Sequence, residues 1–181
     1  FKDIPSPVFG YVGSLTTLRL DIELLEFVAA QKKDWSIVLV GPEDEDFKNS
    51  NLHSMSNVYF LGRKDASELP NYVKGFDVTT NPQLKNNLTI GNYPRKIDEY
   101  LAMGKPILAT KTKAMEMFKE HVYLADTKED YVTLLDKAIA ENTVDRIKNR
   151  IEYAKSHTWS NNVKTIYSSI IKATKHRIKW A

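Results

Sequence analysis

The segment FDVTTNPQLKNNLTIGNYPRKIDEYLAMGKPILAT, residues 76–110, contains the pattern that decides the fold. A strand candidate at 76–80 leads through a polar loop to a helical pattern, and an apolar run follows at 106–110. The helix is expected to begin at Pro94, whose fixed φ suits a first helical position, and to end at Gly104. A strand, a helix and a second strand in this order predict a right-handed βαβ unit of a parallel sheet.

The same alternation of short apolar runs and longer helical patterns continues on both sides of this segment. Most of the apolar runs lack polar alternation, which indicates strands buried on both faces. Asp21 is placed to cap the first helix, and three helical stripes follow from residue 128 onward. We therefore predict a Rossmann-like α/β fold, a parallel sheet of about six strands with helices on both faces. The predicted strands are 8–12, 36–40, 58–61, 76–80, 106–110 and 122–124.

The composition excludes several classes of protein. With 181 residues the chain is long enough for one well-buried core, so a single domain over 1–181 is expected. A net charge of +3 gives no electrostatic basis for nucleic-acid binding, and no apolar run reaches the ~20 residues that span a bilayer. The absence of cysteine fits a reducing cytoplasm, and the four histidines lack the spacing of metal ligands, so no metal site is predicted.

The turn after the first strand carries residues suited to an anionic ligand. Ligands of open parallel sheets bind beyond the carboxyl ends of the strands. Gly13 and Ser14 stand there, where a glycine lets the backbone approach a ligand and the next helix is expected to aim free N–H groups at it. Arg19 offers a fixed fork of donors to a diphosphate. A tight turn with a solvated arginine is the alternative.

The start of the Pro94 helix carries a second set of candidates. Arg95 and Lys96 lie in its first turn, where a cation opposes the helix dipole unless an anion is bound. Glu99 lies one turn further, placed either to accept hydrogen bonds from ribose hydroxyls or to form an ion pair with Arg95. Lys64, after the third strand, either meets a nucleotide base or belongs to an ordinary turn.

The last helical pattern, 160–181, ends in a run of cations. Such a run is usually a solvated face, and contact with anionic headgroups at the inner face of a membrane is the alternative. Its members are Lys172, Lys175, His176, Arg177 and Lys179.

Taken in order, these blocks resemble the C-terminal domain of the GT-B glycosyltransferases, specifically the family 4 retaining type and its relatives in bacterial polysaccharide synthesis. The resemblance covers nearly the whole chain and is carried by FGYVGSL, RLDIELL, DWSIVLVGP, NVYFLGRK, ELPNYVKGFDV, YPRKIDEYLAMGKPILAT and HTWSNNV. It implies a hexosyltransferase whose C-terminal half binds a UDP-sugar or GDP-sugar donor, without a further cofactor. It also implies a separate N-terminal domain for a glycan or lipid-linked acceptor, toward which the helix at 160–181 crosses.

The resemblance also implies roles for individual residues. Gly13 and Ser14 match the turn beside the donor diphosphate, and Glu99 matches the glutamate that holds the ribose. Arg19 and Lys96 match the cations that stabilise the departing diphosphate and are the expected catalytic residues.

Two positions depart from the family pattern. Ser14 stands where the family often has an arginine. The glutamate expected to contact the donor sugar is replaced by Gly91. That contact is expected instead from the amides of Gly91, Asn92 and Tyr93, or from the side chains of Asn86 and Asn87. Two other functions remain open: a noncatalytic nucleotide-binding module, and a sugar-nucleotide epimerase of the same architecture, for which Glu99 alone does not supply the acid residues.

Overall fold

A computed structural model describes residues 3–178, with side chains described as far as residue 174. The strands are β1 Val8–Val12, β2 Ser36–Val40, β3 Val58–Gly62, β4 Val78–Asn81, β5 Ile107–Thr110 and β6 Tyr123–Ala125. The helices are α1 Ile22–Gln31, α2 Glu45–Lys48, α3 Leu69–Gly75, α4 Lys96–Ala102, α5 Lys128–Ala140, α6 Val144–Ser156 and α7 Trp159–Ile178. Two 3₁₀ helices cover Asn51–Ser54 and Lys113–Phe118.

The six strands form one parallel sheet in the order β3-β2-β1-β4-β5-β6. From β1 the chain adds β2 and β3 on one side of the strand, and it then returns to add β4 on the other side of β1. There Phe9 of β1 pairs with Val78 of β4. The gap between β1 and β4 is therefore the topological switch point, where ligands of doubly wound sheets bind. The predicted Rossmann-like fold class is confirmed.

Apolar helix faces cover both sides of the sheet. On one side α1 and α5 contribute buried residues such as Leu25, Val28 and Leu135. On the other side α3, α4 and α6 pack, with Tyr100 and Leu101 of α4 among the buried residues. The expectation that the strands are buried on both faces holds for β1, β2, β4 and β5, whereas β3 is only partly buried because it is an edge strand.

Several predicted boundaries shift by one or two residues. The strand predicted at 76–80 begins at Val78, because Phe76 ends α3 and the carboxylate of Asp77 accepts a hydrogen bond from the Val8 amide at 2.7 Å. The helix predicted from Pro94 begins at Lys96. Asp21 caps α1 as predicted, because its carboxylate accepts the Leu24 amide at 2.9 Å.

Helix α7 keeps an apolar stripe in contact with solvent. The exposed members in its described part are Trp159, Val163, Ile166, Tyr167, Ile170 and Ile171. Within residues 3–178, no helix has both the length and the apolar character needed to cross a bilayer. Of the predicted cationic run, Lys175, His176, Arg177 and Lys179 lie outside the residues whose side chains are described.

Candidate functional site

A cleft of about 740 Å³ lies at the carboxyl ends of β1 and β4, at the topological switch point. Three segments line this switch-point cleft: the loop after β1, the end of β4, and the residues that lead into α4. Its lining residues are Tyr11, Gly13, Ser14, Thr16, Leu18, Arg19, Leu20, Asn81, Gln83, Asn92, Tyr93, Pro94, Arg95 and Lys96. Six of the eight site residues predicted from the sequence therefore meet in one cleft: Gly13, Ser14, Arg19, Asn92, Tyr93 and Lys96.

Gly13 is required where the loop after β1 passes closest to α4. Its φ of +144° lies in a region that favours glycine. A Cβ at this position would lie 2.7 Å from Nζ of Lys96 and 2.9 Å from the hydroxyl of Tyr11. The amide of Gly13 donates to the carbonyl of Val40 at 2.9 Å, so the turn stays attached to the sheet.

The loop after β1 is held by a carboxylate that the sequence analysis did not identify. Asp44, the cap of α2, accepts hydrogen bonds from the Thr17 amide at 2.7 Å and the Phe47 amide at 2.9 Å. Desolvation raises the pKa of Asp44, but these backbone donors outweigh it and hold the pKa below its usual value. Its position as N-cap of a helix was the available sequence signal.

The loop between β4 and α4 is attached to the loop after β1. The Leu84 amide donates to the Arg19 carbonyl at 2.9 Å, and the Asn86 side chain donates to the Leu18 carbonyl at 3.0 Å. The same side chain accepts the amides of Leu88 and Thr89. Asn86 therefore holds the loop together and does not line the cleft, contrary to the expectation that it could contact a sugar.

Lys96 extends from the start of α4 to the end of β1. Its ammonium donates a hydrogen bond to the hydroxyl of Tyr11 and lies 3.7 Å from the centre of that ring. Burial lowers the pKa of Lys96 to about 7, Glu99 opposes this shift, and the guanidinium of Arg19 adds to it. Burial raises the pKa of Tyr11, so its hydroxyl stays neutral. Lys96 therefore loses its proton more readily than an exposed lysine, in a cleft that also contains Arg19 and Arg95.

The three cations of the cleft lack carboxylate partners. Among the described residues, none of Arg19, Arg95 and Lys96 forms an ion pair. The ion pair considered between Arg95 and Glu99 is absent, since the guanidinium lies instead 5.6 Å from the Trp159 ring centre. Uncompensated cations that face one cleft favour an anionic ligand.

Helix N-termini contribute less to this cleft than expected. The amides of Ile97 and Asp98 already donate to the carbonyls of Pro94 and Arg95, at 2.9 and 3.1 Å. The Asn92 amide donates to Thr89, which removes one of the backbone groups expected to contact a sugar. The start of α1 does not line the cleft and carries the Asp21 cap. The positive charges that line the cleft are carried by side chains, those of Arg19, Arg95 and Lys96.

Two of the predicted residues lie outside the lining of the cleft. Glu99 is exposed one turn beyond Lys96, close enough to influence its pKa. Lys64 follows β3, on the far side of β2, and its ammonium lies 5.6 Å from the ring centre of Tyr72. In the described part of the chain no cluster of His, Asp or Glu side chains has the geometry of a metal site.

Two buried carboxamides at the end of β4 were not predicted from the sequence. Asn81 and Gln83 both line the cleft and are 1% and 5% exposed. Within residues 3–178, Nδ2 of Asn81 and Oε1 of Gln83 have no hydrogen-bond partner. An unpaired buried polar atom costs about 1–3 kcal/mol. Because most buried polar side-chain atoms in proteins are paired, these two atoms are candidates for contact with a ligand.

Comparison with known proteins agrees with this architecture. The family model described as glycosyl transferases group 1 matches residues 6–145, more than half of the chain. The putative teichuronic acid biosynthesis glycosyltransferase TuaH of Bacillus subtilis (strain 168) is 28% identical over 174 residues, which cover 92% of this chain and 43% of TuaH.

Solved structures show the same fold. Anabaena Alr3699/HepE in complex with UDP superposes with a TM-score of 0.71 at 18% identity, over 94% of this chain and 49% of HepE. Its complex with UDP-glucose gives a TM-score of 0.70 at 19% identity, over 94% and 49% of the two chains. The chain thus spans about half the length of these relatives, as expected for the C-terminal half of a GT-B architecture. By its family match and its fold, the chain belongs to the glycosyl transferases of group 1.

Proposed function

We propose that the switch-point cleft binds a UDP-sugar, and that the protein transfers this sugar to a glycan or lipid-linked acceptor in the synthesis of a surface polysaccharide. One observation supports the donor site most directly. Arg19 and Lys96 lie 77 positions apart in the sequence and face the same cleft, and neither has a carboxylate partner in the described part of the chain. A diphosphate supplies the negative charge that these two cations lack.

The nature of the donor and the pathway are supported by the relatives. HepE is described in complex with UDP and with UDP-glucose, which favours uridine over guanosine as the base. TuaH is named for teichuronic acid biosynthesis, which favours a polysaccharide product. Glu99 is the proposed ribose contact, since it is exposed near Lys96 and has no ion-pair partner among the described residues.

The proposed chemistry is electrostatic. When the bond between the anomeric carbon and the diphosphate oxygen breaks, its electron pair leaves with the diphosphate, and negative charge grows on the phosphate oxygens. Arg19 and protonated Lys96 would stabilise this charge more than they stabilise the intact donor. Ser14 and the turn at Gly13 would position the diphosphate against them.

The acceptor is proposed to bind to a separate N-terminal domain of the same protein. The relatives are about twice as long as this chain, which supports a second domain. Helix α7 begins beside the cleft, where Trp159 contacts Arg95, and its exposed apolar stripe would pack against that domain. We expect this chain to be inactive alone for that reason.

Calorimetry tests the donor site directly. UDP and GDP are titrated into the full-length protein, and UDP is expected to bind more tightly. Arg19→Gln removes a charged donor and is expected to weaken UDP binding by about tenfold to a hundredfold. Lys148→Gln, which removes an exposed cation of α6, serves as the matched control and is expected to leave binding unchanged. Equal affinities of the wild-type protein and the Arg19 variant would contradict the proposal.

Turnover separates the proposed enzyme from a noncatalytic binding module. Both bind UDP, but only the enzyme consumes a UDP-sugar when an acceptor is present. Release of UDP from a UDP-sugar by the full-length protein, measured with a membrane or glycan fraction as acceptor, is the expected result. Binding without release under these conditions would favour the noncatalytic module.

A further inference from the structure

Two unpartnered amide groups distinguish the end of β4 from the rest of the cleft. Nδ2 of Asn81 is a hydrogen-bond donor and Oε1 of Gln83 is an acceptor, and neither atom has a partner among the residues that the structure describes. Both side chains are more than nine-tenths buried and both line the cleft. They carry no charge, unlike Arg19 and Lys96, so they suit a neutral part of the ligand.

The chemistry of these two atoms restricts what can satisfy them. The oxygens of a diphosphate only accept hydrogen bonds, so they can serve Nδ2 of Asn81 but leave Oε1 of Gln83 unpaired. A hydroxyl group both donates and accepts, and a hexose carries several adjacent hydroxyls. A buried acceptor beside a buried donor therefore fits a sugar better than a phosphate.

The other candidates for a sugar contact lie in the loop before α4 and are poorly placed for it. Gly91 is exposed and does not line the cleft, and a Cβ added to it would meet no heavy atom within 4 Å. The side chain of Asn86 and the amide of Asn92 are occupied within the loop. Among the described residues of the cleft, Nδ2 of Asn81 and Oε1 of Gln83 are the buried side-chain atoms that lack partners.

We propose that Asn81 and Gln83 hold hydroxyl groups of the sugar carried by the donor, and that Gln83 helps to determine which sugar is accepted. This inference rests on the donor function proposed above. Gln83 also borders a smaller depression of about 290 Å³ beside the starts of α1 and α5, which Asn81 does not reach. Because Gln83 and Asn81 both line the switch-point cleft, we assign their unpaired atoms to one ligand in that cleft.

The difference in affinity between a UDP-sugar and UDP isolates the contribution of the sugar. Affinities are measured by calorimetry for UDP and for UDP-glucose, UDP-galactose and UDP-N-acetylglucosamine, using the full-length protein. Gln83→Met keeps the size of the side chain and removes the amide atoms that could form hydrogen bonds with a ligand. We expect it to weaken the best-bound UDP-sugar by about threefold to tenfold and to leave UDP affinity unchanged. Asn81→Ala is expected to have the same selective effect.

Controls separate this result from a loss of folding or of the whole donor site. Gln31→Met makes the same change in the other glutamine of the chain, at an exposed position of α1, and is expected to change neither affinity. Oε1 of Gln83 has no partner among the described residues, so Gln83→Met breaks no hydrogen bond to this atom. The melting temperature without ligand is therefore not expected to fall for that reason.

The remaining outcomes of this experiment would overturn either the role of Gln83 alone or the donor function as well. Equal losses for UDP and the UDP-sugar, or no loss for either, would overturn the role of Gln83 while the donor function stands. A wild-type protein that binds no uridine nucleotide would overturn the donor function and this inference with it.

Discussion

The ammonium of Lys96 lies 3.7 Å from the ring centre of Tyr11 and donates a hydrogen bond to its hydroxyl, although the two residues are 85 positions apart. The groups that act on this ammonium are Tyr11 from β1, Arg19 from the following loop, and Glu99 from α4. Only Glu99 is an acid, and it forms no ion pair with Lys96. The charge state of Lys96 therefore depends on pH and on whether an anion is bound.

Lys96→Met is expected to change how stability depends on pH. The pKa of Lys96 is about 7 in the folded protein, against an ordinary value of 10.5, so between these values the unfolded chain binds more protons. The free energy of unfolding of the wild-type protein therefore gains up to about 1.4 kcal/mol per pH unit from this group as the pH rises above 7. The variant lacks this contribution.

Urea denaturation at several pH values between 6.5 and 9.5 measures this effect. The stability advantage of Lys96→Met over the wild-type protein is expected to be greatest near pH 7 and to shrink as the pH rises. Lys148→Met, at an exposed site, should show no such trend. A constant difference between Lys96→Met and the wild-type protein across this range would contradict the assignment.

Donor binding is expected to require the protonated form of Lys96. A bound diphosphate raises the pKa of this ammonium, so binding above pH 7 takes up a proton. The affinity for a UDP-sugar should fall by up to about tenfold per pH unit above 7, until the pH reaches the pKa of the bound state. UDP-glucose is a suitable probe, because both of its phosphates are esterified and neither titrates near neutral pH.

Calorimetry in two buffers of different ionisation enthalpy counts the protons taken up. Uptake is expected to be small at pH 6 and to approach one proton at pH 8.5, and to vanish in Lys96→Met. Uptake that persists in the variant would assign the proton to another group.

Much of the fold could be predicted because it depends on local patterns. The run 36–40 could be predicted as a strand because it lacks polar alternation, and its side chains are buried on both faces. The Asp21 cap could be predicted because the capping hydrogen bond joins residues close in sequence. The meeting of Gly13, Arg19 and Lys96 followed from the rule that ligands bind at the carboxyl ends of parallel strands.

What the sequence could not reveal depends on contacts between distant segments. The contact between Lys96 and Tyr11 exists only once α4 packs beside β1, where the Tyr100 hydroxyl accepts the Val12 amide at 3.0 Å. The unpaired state of Gln83 is likewise a property of the packed cleft. The expected role of free helix amides was overestimated, because periodicity does not show which amides already donate to nearby carbonyls.

Arg150 is expected to stabilise the packing of α6 against the end of α4. The sequence placed apolar stripes on α6 but did not single out this buried arginine, which donates to the Gly104 carbonyl at 3.0 Å and to Oδ1 of Asn142 at 2.7 Å. Arg150→Met leaves both acceptors without this donor and is expected to reduce the free energy of unfolding by about 1–3 kcal/mol. Arg146→Met, at an exposed site of the same helix, is the control for urea denaturation and should have a smaller effect.

Gly13→Ala is expected to abolish donor binding while the protein still folds. The added methyl group would meet Nζ of Lys96 and the hydroxyl of Tyr11, and the φ of +144° adds strain of about 1–3 kcal/mol. Lys96 must then move away from the diphosphate position, so calorimetry should detect little or no binding of UDP. Gly91→Ala is the matched control, because its methyl group enters open space and its effect on affinity should be small. If both variants bound UDP as tightly as the wild-type protein, the turn at Gly13 would not form part of the donor site.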